Sequence, residues 1–166
     1  MLVRPARPDE VPALVELVTS AYRGESSRAG WTTEADLLDG GRTDAEELSE
    51  LLPDLLAAEQ DDALVGCCAL TPRGEVGYFG TFAVWPLLQG AGVGSALLAA
   101  AEQRAATLGL TAVEMTVLSG RTELIAYYAR RGYADTGETR PFPYGVERNG
   151  IPRTDDLVFT VLRKSL

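Results

Sequence analysis

The most informative part of the sequence is Val84-Trp-Pro-Leu-Leu-Gln-Gly-Ala-Gly-Val-Gly-Ser-Ala-Leu-Leu98. An apolar segment stops there at Pro86, glycines occupy positions 90, 92 and 94, and an alanine–leucine segment follows at once. Because glycine has no Cβ, this backbone can adopt positive φ and approach a ligand closely. The free N–H groups and the dipole of a helix that begins here would face one small volume, which favours a phosphate or pyrophosphate group. The stretch therefore predicts a strand, an anion-binding glycine loop and a helix.

Two familiar phosphate-binding motifs do not match this loop. A P-loop requires a lysine after its second glycine, and the single lysine of the chain is Lys164. A dinucleotide fingerprint that starts at Gly90 would need its last glycine at the position of Ser95. We therefore disfavour a P-loop nucleotidase and a nicotinamide enzyme, and a purely structural glycine loop stays open as an alternative.

The segments around the loop predict a mixed sheet. Before the loop, strand-like segments are separated by the polar turns Asp61-Asp62 and Thr71–Gly74, which indicates an antiparallel meander. After the loop, a helix leads to a further strand, and such a crossover makes the two strands that it joins parallel neighbours. The predicted strands are Leu55–Gln60, Leu64–Leu70, Val76–Trp85 and Leu110–Leu118, and the helix is Ala96–Leu108.

The two ends of the chain complete this pattern. Polar residues over Gly24–Arg42 indicate a loop with a short helix, and the sequence after Tyr133 is turn-rich through Pro141–Gly145 and Asn149-Gly150. The other predicted elements are strands at Leu2–Arg4 and Asp156–Arg163 and helices at Asp9–Tyr22, Ala45–Leu52 and Thr122–Arg131. We predict one α/β (α+β) domain over residues 1–166, with a mainly antiparallel sheet of about six to seven strands, one parallel pair and about four flanking helices.

The composition excludes several kinds of active site. The 166 residues include no histidine, so a Ser-His-Asp triad, a histidine base and a His-zinc site are absent. The two cysteines are the neighbours Cys67 and Cys68 in an apolar run, and we interpret them as small buried hydrophobic residues. Two thiols cannot fill a four-ligand zinc site, so no metal is predicted.

The acidic residues are concentrated in the first part of the chain. Residues 1–62 contain 15 acidic and 5 basic residues, a net charge of −10, whereas residues 63–166 contain 9 acidic and 10 basic residues. An acidic protein is a poor ligand for nucleic acid, and the asymmetry favours a cationic substrate beside an anionic cofactor. Solvation of the surface is the alternative explanation. Because no apolar run is long enough to span a bilayer and no secretory segment follows Met1, we predict a cytoplasmic protein without a membrane partner.

Two motifs resemble those of a known family. Gln89-Gly-Ala-Gly-Val-Gly94, set after Ala83-Val-Trp-Pro86, resembles the acyl-CoA signature of the GNAT superfamily of N-acetyltransferases. Ala126-Tyr-Tyr-Ala-Arg-Arg-Gly-Tyr133 resembles the second motif of that superfamily, a helix with a tyrosine before a terminal glycine–aromatic pair. The order of elements fits the superfamily from residue 1 to residue 166. The sequence departs from it at Arg121, where many members have an asparagine that contacts the cofactor.

The resemblance implies a binding site for acetyl-CoA as co-substrate. In such proteins the two parallel strands splay apart at their C-terminal ends, and the exposed backbone, here at Phe82, Ala83 and Val84, pairs with the pantetheine arm. A main-chain N–H near Val84 would also polarise the thioester carbonyl. The pyrophosphate would be wrapped by the main chain of Gln89, Gly90, Ala91, Gly92, Val93, Gly94 and Ser95. Dimers are common in the superfamily, so a homodimer is possible.

The predicted catalytic residues come from the second motif and from carboxylates. Tyr128 is expected to donate a proton to the leaving thiolate. Because histidine is absent, a carboxylate or a water chain must deprotonate the amine. The candidates are Glu114 on a strand of the parallel pair and Glu34 in the segment that forms the acceptor wall in the superfamily, with Glu25 and Asp36 as alternatives. By the same resemblance, Pro141-Phe-Pro-Tyr144 closes the other side of the acceptor site.

Three functions are compatible with these residues. The leading hypothesis is an acetyl-CoA-dependent N-acetyltransferase in which a primary amine, of a small molecule or a peptide, attacks the thioester directly in a ternary complex. The alternatives are a non-catalytic module that binds or senses acyl-CoA, and an O-acyltransferase or hydrolase of the same fold. The sequence leaves the identity of the acceptor open.

Overall fold

The computed structural model describes residues 1–146 and 150–166. The α-helices are α1 (Val11–Tyr22), α2 (Gly24–Ser27), α3 (Ala45–Leu51), α4 (Val93–Thr107) and α5 (Thr122–Ala129). The strands are β1 (Leu2–Pro5), β2 (Leu38–Asp39), β3 (Leu55–Gln60), β4 (Ala63–Arg73), β5 (Val76–Val84), β6 (Ala112–Leu118), β7 (Ala134–Pro141), β8 (Ile151–Pro152) and β9 (Val158–Ser165). Short 3-10 helices lie at Pro8–Glu10, Leu52–Asp54 and Pro86–Leu88.

Seven of the described strands form one sheet, in the order β1-β3-β4-β5-β6-β9-β7. Neighbouring strands of this sheet are antiparallel except β5 and β6, which run parallel and are joined through α4. The predicted mixed sheet with one parallel pair is therefore confirmed. The strands β2 and β8 form a separate antiparallel pair that the sequence did not predict.

The parallel strands β5 and β6 pair over only three residues and then separate. Val76, Gly77 and Tyr78 of β5 lie opposite Ala112, Val113 and Glu114 of β6, and the pairing ends there. A bulge bends β5 farther along, because Ala83 pairs with Cys67 whereas Gly80 pairs with Ala69, which leaves an extra residue on β5. Thr81 at this bulge has a φ of 46°, an uncommon value for a β-branched residue. The two strands therefore splay apart and leave a gap between their C-terminal ends.

Helices cover both faces of the sheet. On one face, α4 and α5 bury a core that includes Cys68, and on the other face α1 and α3 bury a core that includes Cys67. Both cysteines are fully buried, which confirms the interpretation of the pair as core residues. Leu97 of α4 and Leu14 of α1 are also completely buried, one on each side. The near-continuous apolar sequences of β3, β4 and β5 thus match strands that are covered on both faces.

Three local predictions are corrected. The strand β7 occupies residues expected to be turn-rich, because a polar strand at the sheet edge lacks an apolar alternation. The strand β4 continues to Arg73, so the turn begins only at Gly74, which has a φ of 62°. The helix α4 begins three residues before the predicted Ala96. In the predicted turn at Asn149-Gly150, Asn149 lies outside the described residues. None of the helices in the described part of the chain has both the length and the apolar character needed to cross a lipid bilayer.

Candidate active site

The glycine loop forms the N-terminus of α4. Gly90 and Gly92 have φ values of 88° and 89°, and a Cβ at either position would meet nothing within 4 Å. The positive φ, and not close packing, is therefore the reason for glycine at these two positions. Gly92 is the N-cap, and its carbonyl accepts the first helical bond from the N–H of Ala96 at 3.1 Å. The N–H groups of the intervening first turn precede any helical acceptor and are free to bind an anion.

Two arginines place positive charge beside this helix terminus. Arg131 donates from Nη2 to Ser95 Oγ at 3.0 Å, and its guanidinium lies 3.5 Å above the centroid of the Tyr127 ring. Arg130 and Arg131 line the same cavity as the glycine loop. Both arginines belong to the second motif, but the sequence alone indicates no role for either. The N-terminus of α4 and the guanidiniums of these two arginines together favour a multiply charged anion such as a pyrophosphate.

The loop residues differ in what they do. Gln89 accepts the N–H of Trp31 on Oε1 at 2.7 Å and donates from Nε2 to the Val84 carbonyl at 3.4 Å, so it ties the segment around Trp31 to the end of β5. Ala91 donates its N–H to the Leu88 carbonyl at 3.3 Å, and the side chain of Val93 is buried in the core. The described residues of the loop that line the cavity are Gln89, Gly90, Gly92, Gly94 and Ser95.

Two cavities meet at the gap between β5 and β6. The glycine-loop cavity has a volume of about 300 Å³ and contains the loop residues, Trp31, Arg130 and Arg131. The arginine cavity has a volume of about 400 Å³ and lies on the side of the segment 23–51, with four arginines in its wall. The residues common to both walls are Tyr22, Phe82, Arg121 and Leu124. A reacting group at this junction would be accessible from both sides.

The end of β5 presents backbone groups to the junction. The carbonyl of Phe82 accepts the Tyr22 hydroxyl at 2.5 Å, and the carbonyl of Val84 accepts Gln89. Because backbone direction alternates along a strand, the N–H groups of Phe82 and Val84 face the same gap. Ala83 differs from the prediction: Ala83 and Val84 both have partners in β4, but the Trp85 N–H donates to the Val65 carbonyl of β4, and Ala83 shares the backbone direction of Trp85. Ala83 is still among the residues that line the glycine-loop cavity.

Tyr128 lies in the wall of the arginine cavity. The residue is 3 % exposed, and its ring lies 6.3 Å from Phe82 between centroids, close to the junction. Among residues 1–146 and 150–166 its hydroxyl has no hydrogen-bond partner. Burial raises the pKa of Tyr128 well above its ordinary value, so the hydroxyl stays protonated. The arrangement leaves a neutral, unpartnered donor on a residue of the cavity wall.

The arrangement argues against Glu34 as a general base. Glu34 is buried in the wall of the arginine cavity, where it accepts hydrogen bonds from Arg23 and, at 2.9 Å, from Arg121. Burial raises the pKa of this carboxyl, but the charges of Arg121, Arg23 and Arg42 outweigh burial and hold the pKa below its usual range. A carboxylate whose lone pairs are held by guanidiniums is a weak proton acceptor. Glu34 is therefore better described as the counter-ion of buried arginines.

Glu114 is also unsuited to the role predicted for it. Its Oε1 accepts Arg140 of β7 at 2.8 Å and its Oε2 accepts Arg163 of β9, so both oxygens are engaged. Burial raises the pKa of Glu114, but the hydrogen bonds from Arg163 and Arg140 lower it below the ordinary value. Glu114 is not among the described residues that line either cavity. The pairs stabilise the sheet where β6, β9 and β7 meet.

The two alternative carboxylates, Glu25 and Asp36, are exposed and share the guanidinium of Arg28. Neither is among the described residues of a cavity wall. Within residues 1–146 and 150–166, no group of three or more histidine, cysteine, aspartate and glutamate side chains is arranged to hold a metal ion.

Arg121 connects the segment Trp31–Glu34 to α5. It is the N-cap of α5 and is 5 % exposed. Its guanidinium donates from Nη1 to Glu34 and from Nη2 to Thr32 Oγ1, the second at 2.8 Å. Thr32 in turn donates to Glu123 at 2.9 Å. Arg121, at the position where an asparagine was expected, therefore holds the segment Trp31–Glu34 across the junction. The sequence did not reveal this contact.

Comparisons with known proteins agree with this architecture. A family model described as acetyltransferase (GNAT) family matches residues 12–133. No curated protein matches the chain.

Similar folds occur among solved structures. The ribosomal-protein-alanine N-acetyltransferase from Brucella melitensis is 20% identical with a TM-score of 0.74, over 100% of both chains. Rv2747 from Mycobacterium tuberculosis, in complex with CoA and NLQ, is 24% identical with a TM-score of 0.65, over 100% of this chain and 99% of that chain. The N-acetylglutamate synthase from Neisseria gonorrhoeae, complexed with coenzyme A and N-acetyl-glutamate, is 23% identical with a TM-score of 0.66, over 99% of this chain and 35% of that chain. By the family match over most of its length, the chain belongs to the acetyltransferase (GNAT) family.

Proposed function

We propose that this protein transfers an acetyl group from acetyl-CoA to a primary amine within a ternary complex. The observation that carries the proposal is that the glycine-loop cavity and the arginine cavity meet. The residues common to both walls are Tyr22, Phe82, Arg121 and Leu124, and only the first cavity contains the anion-binding loop. Such a junction lets a thioester enter from one side and an amine from the other. Rate then comes from the proximity and orientation of the two reactants, without a covalent enzyme intermediate.

The glycine-loop cavity fits the cofactor. The first-turn N–H groups of α4 and the guanidiniums of Arg130 and Arg131 would hold the pyrophosphate. The N–H groups of Phe82 and Val84 would face the pantetheine arm and donate to the thioester oxygen, where negative charge develops during acyl transfer. Acetyl-CoA supplies the activated thioester, and the chain supplies the position and the hydrogen bonds.

The reaction forms one C–N bond and breaks one C–S bond. The acceptor ammonium and the thioester yield an acetamide, a thiol and one proton that is released to water. With Glu34 and Glu114 both held by arginines, loss of the first proton depends on the surroundings of the amine. The positive wall of the arginine cavity disfavours an ammonium ion and so lowers the pKa of a bound amine. Water can then remove the proton without a dedicated side-chain base.

Tyr128 is the proposed donor to the leaving sulfur. Its hydroxyl is protonated and has no partner among the described residues, and the residue lines the cavity that contains the junction. A neutral donor stabilises the thiolate as charge develops and can pass it a proton, while the second proton of the attacking nitrogen returns to the tyrosine. Tyr133 belongs to the same aromatic cluster, but its hydroxyl donates to Glu102 at 3.0 Å.

The test is release of CoA thiol from acetyl-CoA in the presence of a panel of amines, followed with a thiol reagent. We expect release that depends on the acceptor, and we expect Tyr128→Phe to lower kcat by about 100-fold with KM for acetyl-CoA changed less than about twofold. Tyr133→Phe is the matched control and should retain kcat. No release with any amine would contradict the transferase proposal, and an unchanged kcat in Tyr128→Phe would contradict the role of Tyr128.

A further inference from the structure

We infer that the acceptor amine also carries a carboxylate, which binds Arg42, so that the substrate is an amino acid with an apolar side chain. This inference rests on the proposed function and names the class of its acceptor. It replaces the cationic acceptor that the acidic first part of the sequence favours.

The first observation is the charge of the arginine cavity. Its described wall contains four guanidiniums and two carboxylates, which leaves two positive charges in a protein whose net charge is −9. The charged wall residues are Arg23, Arg42, Arg73, Arg121, Glu34 and Glu47. Of the 15 acidic residues in residues 1–62, only these two glutamates are part of the described wall. Most acidic side chains of this part of the sequence therefore lie outside the described wall, and the positive wall attracts an anion.

The second observation is which of these arginines is compensated. Arg23 and Arg121 share Glu34 as their counter-ion. Arg73 is exposed and lies 3.7 Å above the Tyr78 ring. Arg42 is half-buried, lies over the Tyr22 ring and contributes its charge to the field at Glu34, but its N–H groups make no hydrogen bond or ion pair with any residue of 1–146 or 150–166. A half-buried guanidinium whose N–H groups have no acceptor in the protein can bind a carboxylate through two parallel hydrogen bonds.

The third observation is the position of Arg42 relative to the junction. Its guanidinium carbon lies 5.2 Å from the centroid of the Tyr22 ring, and the Tyr22 hydroxyl donates to the Phe82 carbonyl at the end of β5. One side chain thus connects the free guanidinium to the gap where the thioester would lie. When the carboxylate of the acceptor binds Arg42, an amine one or two bonds from it in the same molecule would lie along Tyr22, on the side of that gap.

The rest of the wall sets the character of the acceptor side chain. Phe142 and Leu38 are buried beside Leu118 in a small apolar cluster, and the three residues line the cavity. Phe79 and Phe159 also lie in the wall. These surfaces gain free energy by covering apolar area, at about 25 cal/mol per Å². An amino acid with a leucine-like or phenylalanine-like side chain fits both the charge and the apolar wall.

The test measures binding first, so that it does not depend on turnover. Protein saturated with CoA is titrated calorimetrically with N-acetyl-L-phenylalanine and N-acetyl-L-leucine, and with the uncharged primary amide of each. We expect the carboxylates to bind at least about tenfold more tightly than the amides, which corresponds to about 1.4 kcal/mol. Arg42→Gln should remove this difference. Arg28→Gln, which removes the same charge from an exposed arginine outside the described walls, should retain it.

Rates then separate this inference from the proposed function. With acetyl-CoA, L-phenylalanine and L-leucine should be acetylated with a higher kcat/KM than their amides. Equal binding of carboxylate and amide, or loss of affinity for both in Arg42→Gln, would overturn the carboxylate site. Acceptor-dependent thiol release that is equally fast with amides would overturn the inference and leave the transferase intact. Selective carboxylate binding with no thiol release from any amine would support the site and contradict the transferase.

Discussion

Arg121 Nη1 donates a hydrogen bond of 2.9 Å to Glu34 Oε1 and so joins the N-cap of α5 to a residue 87 positions earlier. Arg23 donates to the other oxygen of the same carboxylate. All three side chains are buried. The contact holds the segment of Glu34 over the splayed strands, and it explains why a carboxylate predicted as a base acts as a structural counter-ion. Its loss should therefore affect stability and the shape of both cavities.

Glu34→Gln is expected to lower the free energy of unfolding by about 3–5 kcal/mol, because removal of one partner leaves buried guanidiniums uncompensated. Urea unfolding at pH 7 measures this change. Glu25→Gln is the matched control, since Glu25 pairs with Arg28 at the surface, and it should change stability by less than about 0.5 kcal/mol. A loss below about 1 kcal/mol in Glu34→Gln would show that the triad is not a major stabilising contact.

Gly92→Ala is expected to weaken CoA binding by about tenfold or more. A side chain at a φ of 89° costs roughly 1–2 kcal/mol and distorts the N-cap on which the first-turn N–H groups depend. Calorimetric titration with CoA measures the affinity. Gly74→Ala is a matched control, because Gly74 also has a positive φ, of 62°, in the turn between β4 and β5, with open space around it. Gly74→Ala should cost similar stability and keep the affinity, and an equal loss in both variants would mean that the effect is general.

The two thiols are expected to be inert in the folded protein. Burial raises the pKa of Cys67 to about 12 and raises that of Cys68 as well, so neither forms a thiolate at pH 8. A disulfide reagent should label no thiol in native protein and both thiols in denaturant. Fast labelling of native protein would contradict the buried placement, and it would also add background to the assay of CoA release.

Sequence patterns predicted the parts of the fold that local physics determines. The glycines at 90 and 92 are required by positive φ, and the apolar residues at successive positions of β5 reflect cover on both faces, so both features are visible in a single segment. The splay itself was expected only through family resemblance. The bulge at Thr81 was not predicted, because nothing in its own residues distinguishes a bent strand from a straight one.

The candidate site was less predictable, because its chemistry depends on contacts between distant segments. Glu34 and Glu114 are plausible bases in isolation, and only the tertiary structure brings two arginines onto each of them. Arg42 lies in a polar segment that resembles a solvated loop, and its role arises from its place in the cavity wall. The net charge was misleading about the acceptor for the same reason, because it sums all charged residues and does not show which of them line the cavity.

Acid should destabilise the protein through Glu10. The hydrogen bond from Arg4, with further contributions from Arg7, lowers the pKa of Glu10 from 4.5 to about 2. A carboxyl with a lowered pKa in the folded state contributes stability above its unfolded pKa and loses it as the pH falls. Stability should therefore decrease from about pH 4.5 toward pH 2, as the unfolded chain takes up the proton before the folded protein does.

Urea unfolding of wild type and Glu10→Gln at pH 7, 5, 4 and 3 would measure this dependence. The variant should be less stable at pH 7, and the difference from wild type should shrink as the pH is lowered, because protonation removes from wild type the interaction that the substitution has already removed. Asp9→Asn is the control, since Asp9 is largely exposed and is 4.0 Å from its nearest guanidinium nitrogen, and its effect should be small at every pH. A difference between wild type and Glu10→Gln that stays constant from pH 7 to pH 3 would contradict the lowered pKa of Glu10.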